Sequence, residues 1–270
     1  METGGTAVRA ISLMYHDVIP ASGPAVTGFM DPGAMIYKFP EAEFRRHIDL
    51  LAEAGVSPCP DAPAADSGRP LFCLTFDDGG ISNRDVAAGV LEERGWRGHF
   101  FITTGRIGTP GFLDAAALRD LHARGHALGS HSVSHPRRMS ALTPDQLRKE
   151  WTDSRRRLED ILGAPVLMAS VPGGYCSRPV EDSALAAGYR VLFTSEPVQR
   201  VKRRGGGRIL GRYSIQQGVS AEVAVKLARG DPAARGWQYL LWNSKKMAKA
   251  VGGTAWLRMR EGVLRRQRTL

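Results

Sequence analysis

Residues 71–80 read Leu-Phe-Cys-Leu-Thr-Phe-Asp-Asp-Gly-Gly, and the reading of this stretch decides the fold. Six uncharged, mostly bulky residues run straight into two acids and two glycines. A short apolar run bounded by turn residues predicts a strand buried on both faces, the kind that makes up parallel sheets. Such a strand carries whatever follows it to the end of the sheet, and here it carries a pair of carboxylates.

The pattern recurs along the chain. Ala10–Tyr15 (AISLMY) ends at His16-Asp17, Ala127–Gly129 ends at Ser130-His131, and Val166–Val171 runs into Pro172-Gly173; further strands are expected over His99–Thr103 and Tyr189–Thr194. Between them, FPEAEFRRHIDLLAEAG spaces Phe44, Ile48, Leu51 and Ala52 as one helical face and stops at Gly55. Helices are also expected over Val86–Arg94, Asp114–Arg124, Thr143–Leu162, which opens with the cap-like Thr-Pro-Asp-Gln, and Pro179–Ala187. Strands alternating with helices define an α/β chain of parallel β/α units. In β/α barrels chemistry gathers where strands end. His16, Asp77-Asp78, His131 and Pro172-Gly173 all fall there, which makes one shared pocket the economical reading.

The chain has 270 residues, 43% of them apolar, enough for one large core. We expect a catalytic domain over residues 1–215 and a basic helical extension over 216–270 packed on it, with helices at Gln238–Val251 and Ala255–Arg266. Arg203–Arg208 (RRGGGR) reads as a flexible basic loop. No run approaches the roughly 20 apolar residues of a membrane span, and the N-terminus lacks the pattern of an export signal. Cys59, Cys73 and Cys176 are odd in number and widely spaced, which suggests neither a disulfide framework nor a thiolate metal site. A cytoplasmic location is expected. The net charge of +10 is skewed, since residues 190–270 hold 18 Lys/Arg against four Asp/Glu. That favours an anionic partner such as a membrane surface or a phosphorylated lipid carrier, or else a solubilising surface; no nucleic-acid recognition motif is present.

His131 and His135 (GSHSVSH) are spaced so that two imidazoles can reach one metal ion, or can serve as a capping or surface pair. Asp77-Asp78-Gly79-Gly80 alone reads as a turn. Neighbouring carboxylates at a strand end repel each other and lose hydration, however, so with the histidines nearby a cation is the better account.

Leu74-Thr75-Phe76-Asp77-Asp78-Gly79 and His131-Ser132-Val133-Ser134-His135 resemble the first two motifs of the polysaccharide deacetylases, the NodB-homology or carbohydrate esterase family 4, over roughly residues 8 to 200. The resemblance implies a distorted, incomplete (β/α) barrel. It implies Asp77 as general base, with Asp78, His131 and His135 holding a metal, usually zinc, although another divalent transition metal would also suit. It further implies removal of the acetyl group from an N-acetylated sugar or glycan, with the Pro172-Gly173 turn supplying a backbone oxyanion donor. A deformylase or other non-peptide amidase, or an inert metal-containing carbohydrate-binding protein, are the alternatives. Leu13-Met14-Tyr15-His16-Asp17 looks like the branch containing the poly-N-acetylglucosamine deacetylases, which makes His16 the candidate general acid. The family's Arg-x-Pro-Tyr motif reads Ser170-Val171-Pro172-Gly173 here, so the arginine that orients the base is missing, and Arg178 is a substitute from the same loop.

Overall fold

A computed structural model of the chain describes residues 9–20, 26–59 and 71–244. The strands are β1 (Ala10–Tyr15), β2 (Asp17–Ile19), β3 (Lys38–Pro40), β4 (Leu71–Phe76), β5 (His99–Ile102), β6 (Ala127–Ser130), β7 (Met168–Ser170), β8 (Val191–Phe193), β9 (Lys202–Arg204), β10 (Gly207–Leu210) and β11 (Tyr213–Ser214). Nine of them form one curled sheet in the order β11-β1-β4-β5-β6-β7-β8-β10-β9, parallel except for the β9–β10 hairpin. The result is an incomplete (β/α) barrel. β2 and β3 pair separately.

The helices are α1 (Pro32–Met35), α2 (Glu41–Glu53), α3 (Gly89–Glu92), α4 (Ala115–Ala123), α5 (Pro144–Leu162), α6 (Arg178–Ala186), α7 (Ala221–Ala228) and α8 (232–244). The Thr-Pro-Asp-Gln opening of α5 is a full capping box: Gln146 N–H donates to Thr143 Oγ1 and Thr143 N–H donates to Gln146 Oε1. Gly163 ends that helix at φ 66°. The helix expected at Val86–Arg94 instead begins as a π-helical turn over Asn83–Ala88 and becomes α only at Gly89. Arg203–Arg208 is not a flexible loop: it is the turn and both arms of the β9–β10 hairpin, with Gly205 and Gly206 at positive φ supplying the turn. α7 packs on α2 and β1. α8 is tied down by Arg235, which donates to the Tyr213 hydroxyl at 2.9 Å, and by Gln238, which donates to the Ser214 carbonyl at 3.1 Å. The remainder of Gln238–Val251 and all of Ala255–Arg266 lie outside the described residues.

Strand alternation sorts the core into two. Ile11, Leu13 and Tyr15 of β1, with Phe72, Leu74 and Phe76 of β4, face the helices. Ala10, Leu71, Cys73, Phe101, Met168, Val191, Phe193 and Leu210 fill the barrel interior. Because side chains alternate with period two, the interior rows continue past the strand ends to chosen residues. From Ala10 the row reaches His16, from Cys73 it reaches Asp77, from Met168 it reaches Ser170, and from Leu210 it reaches Arg212.

Candidate active site

These rows converge at the C-terminal mouth of the barrel. Asp77 and Asp78 are 2% and 5% exposed, His131 is 2% exposed, and Ser170 and Arg212 are fully buried. Arg212 Nη1 and Nη2 donate to Asp77 Oδ1 and Oδ2 at 2.7 and 2.8 Å, and Arg212 Nε donates to the Thr194 carbonyl. Burial alone would raise the Asp77 carboxyl, but the Arg212 guanidinium outweighs it and holds the group well below the usual carboxylate range. Asp77 therefore stays ionised and oriented.

Arg212 is the residue that the sequence reading missed. The expected substitute, Arg178, lies on the surface at 80% side-chain exposure beside Asp182, 3.8 Å away. Ser170, at the position of the absent arginine, lies between two site residues instead. Its Oγ is 2.5 Å from His131 Nδ1 and donates to Asp77 Oδ1 at 3.1 Å. The Ser170 carbonyl is 3.2 Å from the same ring nitrogen, so the tautomer with hydrogen on Nδ1 turns the lone pair of Nε2 into the mouth.

There His131 Nε2 and His135 Nε2 lie 3.5 and 3.4 Å from Asp78 Oδ1. Ligand atoms of Asp78, His131 and His135 all fall within 4.8 Å of one another. Asp78 Oδ1 is buried and has no hydrogen-bond partner. Burial, then the Asp77 charge, push the Asp78 carboxyl well above its ordinary value, while burial pushes the His131 imidazole down to about 3 and lowers that of His135. Two neutral imidazoles beside an orphaned carboxylate oxygen fit a divalent cation in composition, proximity and electrostatics.

The backbone is strained where these groups sit. Asp78, Ser132 and His135 have φ of 76°, 65° and 54°, and they are the non-glycine residues at positive φ among the described residues. Such conformations cost on the order of 1–3 kcal/mol each and persist where surrounding contacts impose them. The glycine pair after Asp78 has a separate reason. Gly79 turns at φ 80°, and a side chain on Gly80 would run into Asp17 and Thr27. Asp17 itself is a buried anchor: it accepts from Thr27 Oγ1 and Ser82 Oγ and pairs with Lys38 at 2.7 Å. This network secures the loop carrying Phe29, whose ring lies 4.8 Å from that of His135.

His16 also reaches the mouth. Its ring stacks on Tyr37 at 4.2 Å, and its buried Nδ1 has no hydrogen-bond partner. Burial lowers its pKa to about 4, against the opposing pull of Asp77. Tyr15 points the other way, into the helix layer, with its hydroxyl 2.9 Å from His47 Nδ1. Pro172 and Gly173 form a tight turn beside the site, Gly173 at φ 67° where a side chain would run into the Arg137 carbonyl.

The fold and the site define a class, the deacetylase-type open barrel with a carboxylate–histidine cluster at its mouth. Residues 64–192 match the family model described as polysaccharide deacetylase, the NodB-homology family that the sequence motifs resemble. YxkH of Bacillus subtilis (strain 168), which bears a provisional polysaccharide deacetylase name, is 25% identical over 218 residues, covering 78% of this chain and 73% of its own. Among solved structures, the polysaccharide deacetylase BC0361 from Bacillus cereus superposes with TM-score 0.69 at 19% identity, covering 82% of this chain and 69% of that one. IcaB from Ammonifex degensii gives 0.64 at 20%, covering 86% and 97%.

Proposed function

We propose that this chain hydrolyses the N-acetyl group of an amino sugar within a glycan, with Asp77 as general base and His16 as proton donor. The observation that carries the reading is the separation of the two adjacent acids into opposite electrostatic roles. Asp77 is paired with Arg212 and ionised, whereas Asp78 is unpaired and faces two neutral imidazoles. One group is suited to accept a proton and the other to hold a cation.

Asp78, His131 and His135 would hold the metal, and zinc is the ion this donor set suits best. A bound divalent ion would polarise the amide carbonyl and make water acidic enough to attack near neutral pH. Asp77 then takes the proton from the attacking water. His16, neutral at rest because burial lowers its pKa to about 4, would take up the proton that Asp77 has gained from the water and pass it to the departing amine, which cannot leave as an anion. A backbone N–H of the Pro172–Gly174 turn would steady the developing oxyanion. Acetate release from N-acetylglucosamine oligomers tests the reading: Asp77→Asn and His16→Ala should each lose most of the turnover, and retention by Asp77→Asn would refute it.

The substrate we favour is anionic and lipid-linked, met at the inner membrane face. The mouth supports this. Arg106 stands 5.5 and 6.0 Å from the ring centroids of Phe29 and Phe112, and Val26, Met30 and Ile81 expose apolar surface on the segments laced together beside them by the Gly111 carbonyl. The excess of Lys/Arg over residues 190–270 points the same way. Among the described residues no helix is long and apolar enough to cross a membrane. If the protein ignored anionic vesicles and cleaved neutral oligosaccharides as well as lipid-phosphate-linked sugars, this substrate assignment would fall.

A further inference from the structure

The loop 131–135 carries two of the three candidate ligands, yet its conformation is imposed from outside it. Glu150, half-buried on α5, accepts from Val133 N–H at 2.8 Å and Ser134 N–H at 2.9 Å through Oε2, and from the Ser134 hydroxyl at 2.6 Å through Oε1. One helical turn further on, Ser154 lies 2.6 Å from Ser130 Oγ, which in turn accepts from Ser132 N–H. From the opposite side, Thr104 N–H and Gly105 N–H donate to the Ser132 and Val133 carbonyls at 3.0 and 2.8 Å. The loop is thus clamped between the end of β5 and one face of α5.

We propose that Glu150 is a positioning residue for the candidate metal site, its carboxylate fixing the Ser132–His135 turn so that His135 Nε2 faces Asp78. The inference rests on the metal-site reading above and adds a residue that the Asp-His-His pattern does not contain. The physical case is a count of constraints. Ser132 and His135 both hold positive φ, and L-residues leave that region unless several contacts oppose it. A carboxylate accepting three bonds at 2.6–2.9 Å supplies the largest set of contacts that any one side chain makes to this turn. Without it the two N–H groups of Val133 and Ser134 lose their acceptor, the turn relaxes toward ordinary φ, and His135 swings away from Asp78. His131 is held separately by Ser170, so the site would become a two-ligand one rather than vanish.

The test is zinc affinity of the full chain, measured by competition with a chromophoric chelator, alongside the thermal midpoint of the metal-free protein. Glu150→Ala is expected to weaken zinc binding by about 10–100-fold, the range seen when outer-shell partners of ligands are removed. Glu150→Gln, which keeps one acceptor oxygen, should fall between Ala and wild type. Glu159→Ala serves as control: on the same helix Glu159 accepts from Val166 N–H and pairs with Arg155, away from the site. It should lower the midpoint without moving zinc affinity. Zinc binding by Glu150→Ala within twofold of wild type would overturn the proposal while leaving the metal site standing. A wild-type chain that binds no zinc would instead overturn the metal-site reading, and the positioning role with it.

Discussion

Arg212 grips Asp77 with two parallel bonds of 2.7 and 2.8 Å inside the barrel mouth, although 135 residues separate them in the chain. The pair is fully desolvated on the arginine side, so each partner depends on the other. Arg212→Met should destabilise the fold by roughly 3–5 kcal/mol, because an unpaired buried carboxylate remains. Arg212→Lys keeps the charge but loses the fork. Its turnover should drop roughly 100-fold, the low end of what a positioned base contributes, and the acid limb of the pH–rate profile should move to higher pH as Asp77 becomes easier to protonate. Steady-state kinetics from pH 4 to 8 checks both.

Asp78 should trade stability for metal binding. Its carboxyl is raised in the folded protein, by burial and then by Asp77, so at pH above its unfolded value near 3.9 ionisation favours the unfolded chain. Asn removes that penalty and tolerates the φ of 76°. Chelator-treated Asp78→Asn should therefore melt higher than wild type at pH 7.5, by the equivalent of about 1 kcal/mol, and show no gain near pH 4. It should also lose tight zinc binding. Calorimetric melting at the two pH values is the measurement.

Buried histidines set an opposite pH slope. Burial lowers His16 and His47 to about 4 and His131 to about 3. A folded pKa below the unfolded value of about 6.5 means the unfolded chain takes up protons first as pH falls. Their stabilisation is complete above pH 6.5 and lost as pH falls through about 4 for His16 and His47 and through about 3 for His131, at about 1–3 kcal/mol per histidine. In metal-free Asp78→Asn, where the raised carboxyl no longer opposes the trend, the midpoint should fall steadily from pH 7 to 4.5, and His47→Gln should flatten that fall. A midpoint constant over this range would contradict the burial of these rings.

Much of this was legible because the signal was local. AISLMY, LFCLTF and the Thr-Pro-Asp-Gln cap declare their elements in a few residues, and the His131-x-x-x-His135 spacing, open by itself to a capping or surface pair, suggests a metal once Asp77-Asp78 is set beside it. Arg212 was not legible, for a specific reason. GRIL (β10) is four residues long and follows a run of arginines and glycines, so it offers too little alternation to register as a strand. Once β10 is known, the period-two rule points Leu210 and Arg212 into the barrel. Glu150 is hidden differently. On an amphipathic helix it looks like any surface acid, and only the approach of the 132–135 turn, set by tertiary packing, gives it partners.

The central claim is that Asp77 acts as base beside a cation held by Asp78, His131 and His135. Its most direct test is acetate release from an N-acetylglucosamine oligomer by the full chain, chelator-stripped and then reloaded with one equivalent of zinc. The account predicts no release when stripped, recovery on reloading, and none from reloaded Asp77→Asn although that variant still binds zinc. Release that survives the chelator, or that persists in Asp77→Asn, would contradict it.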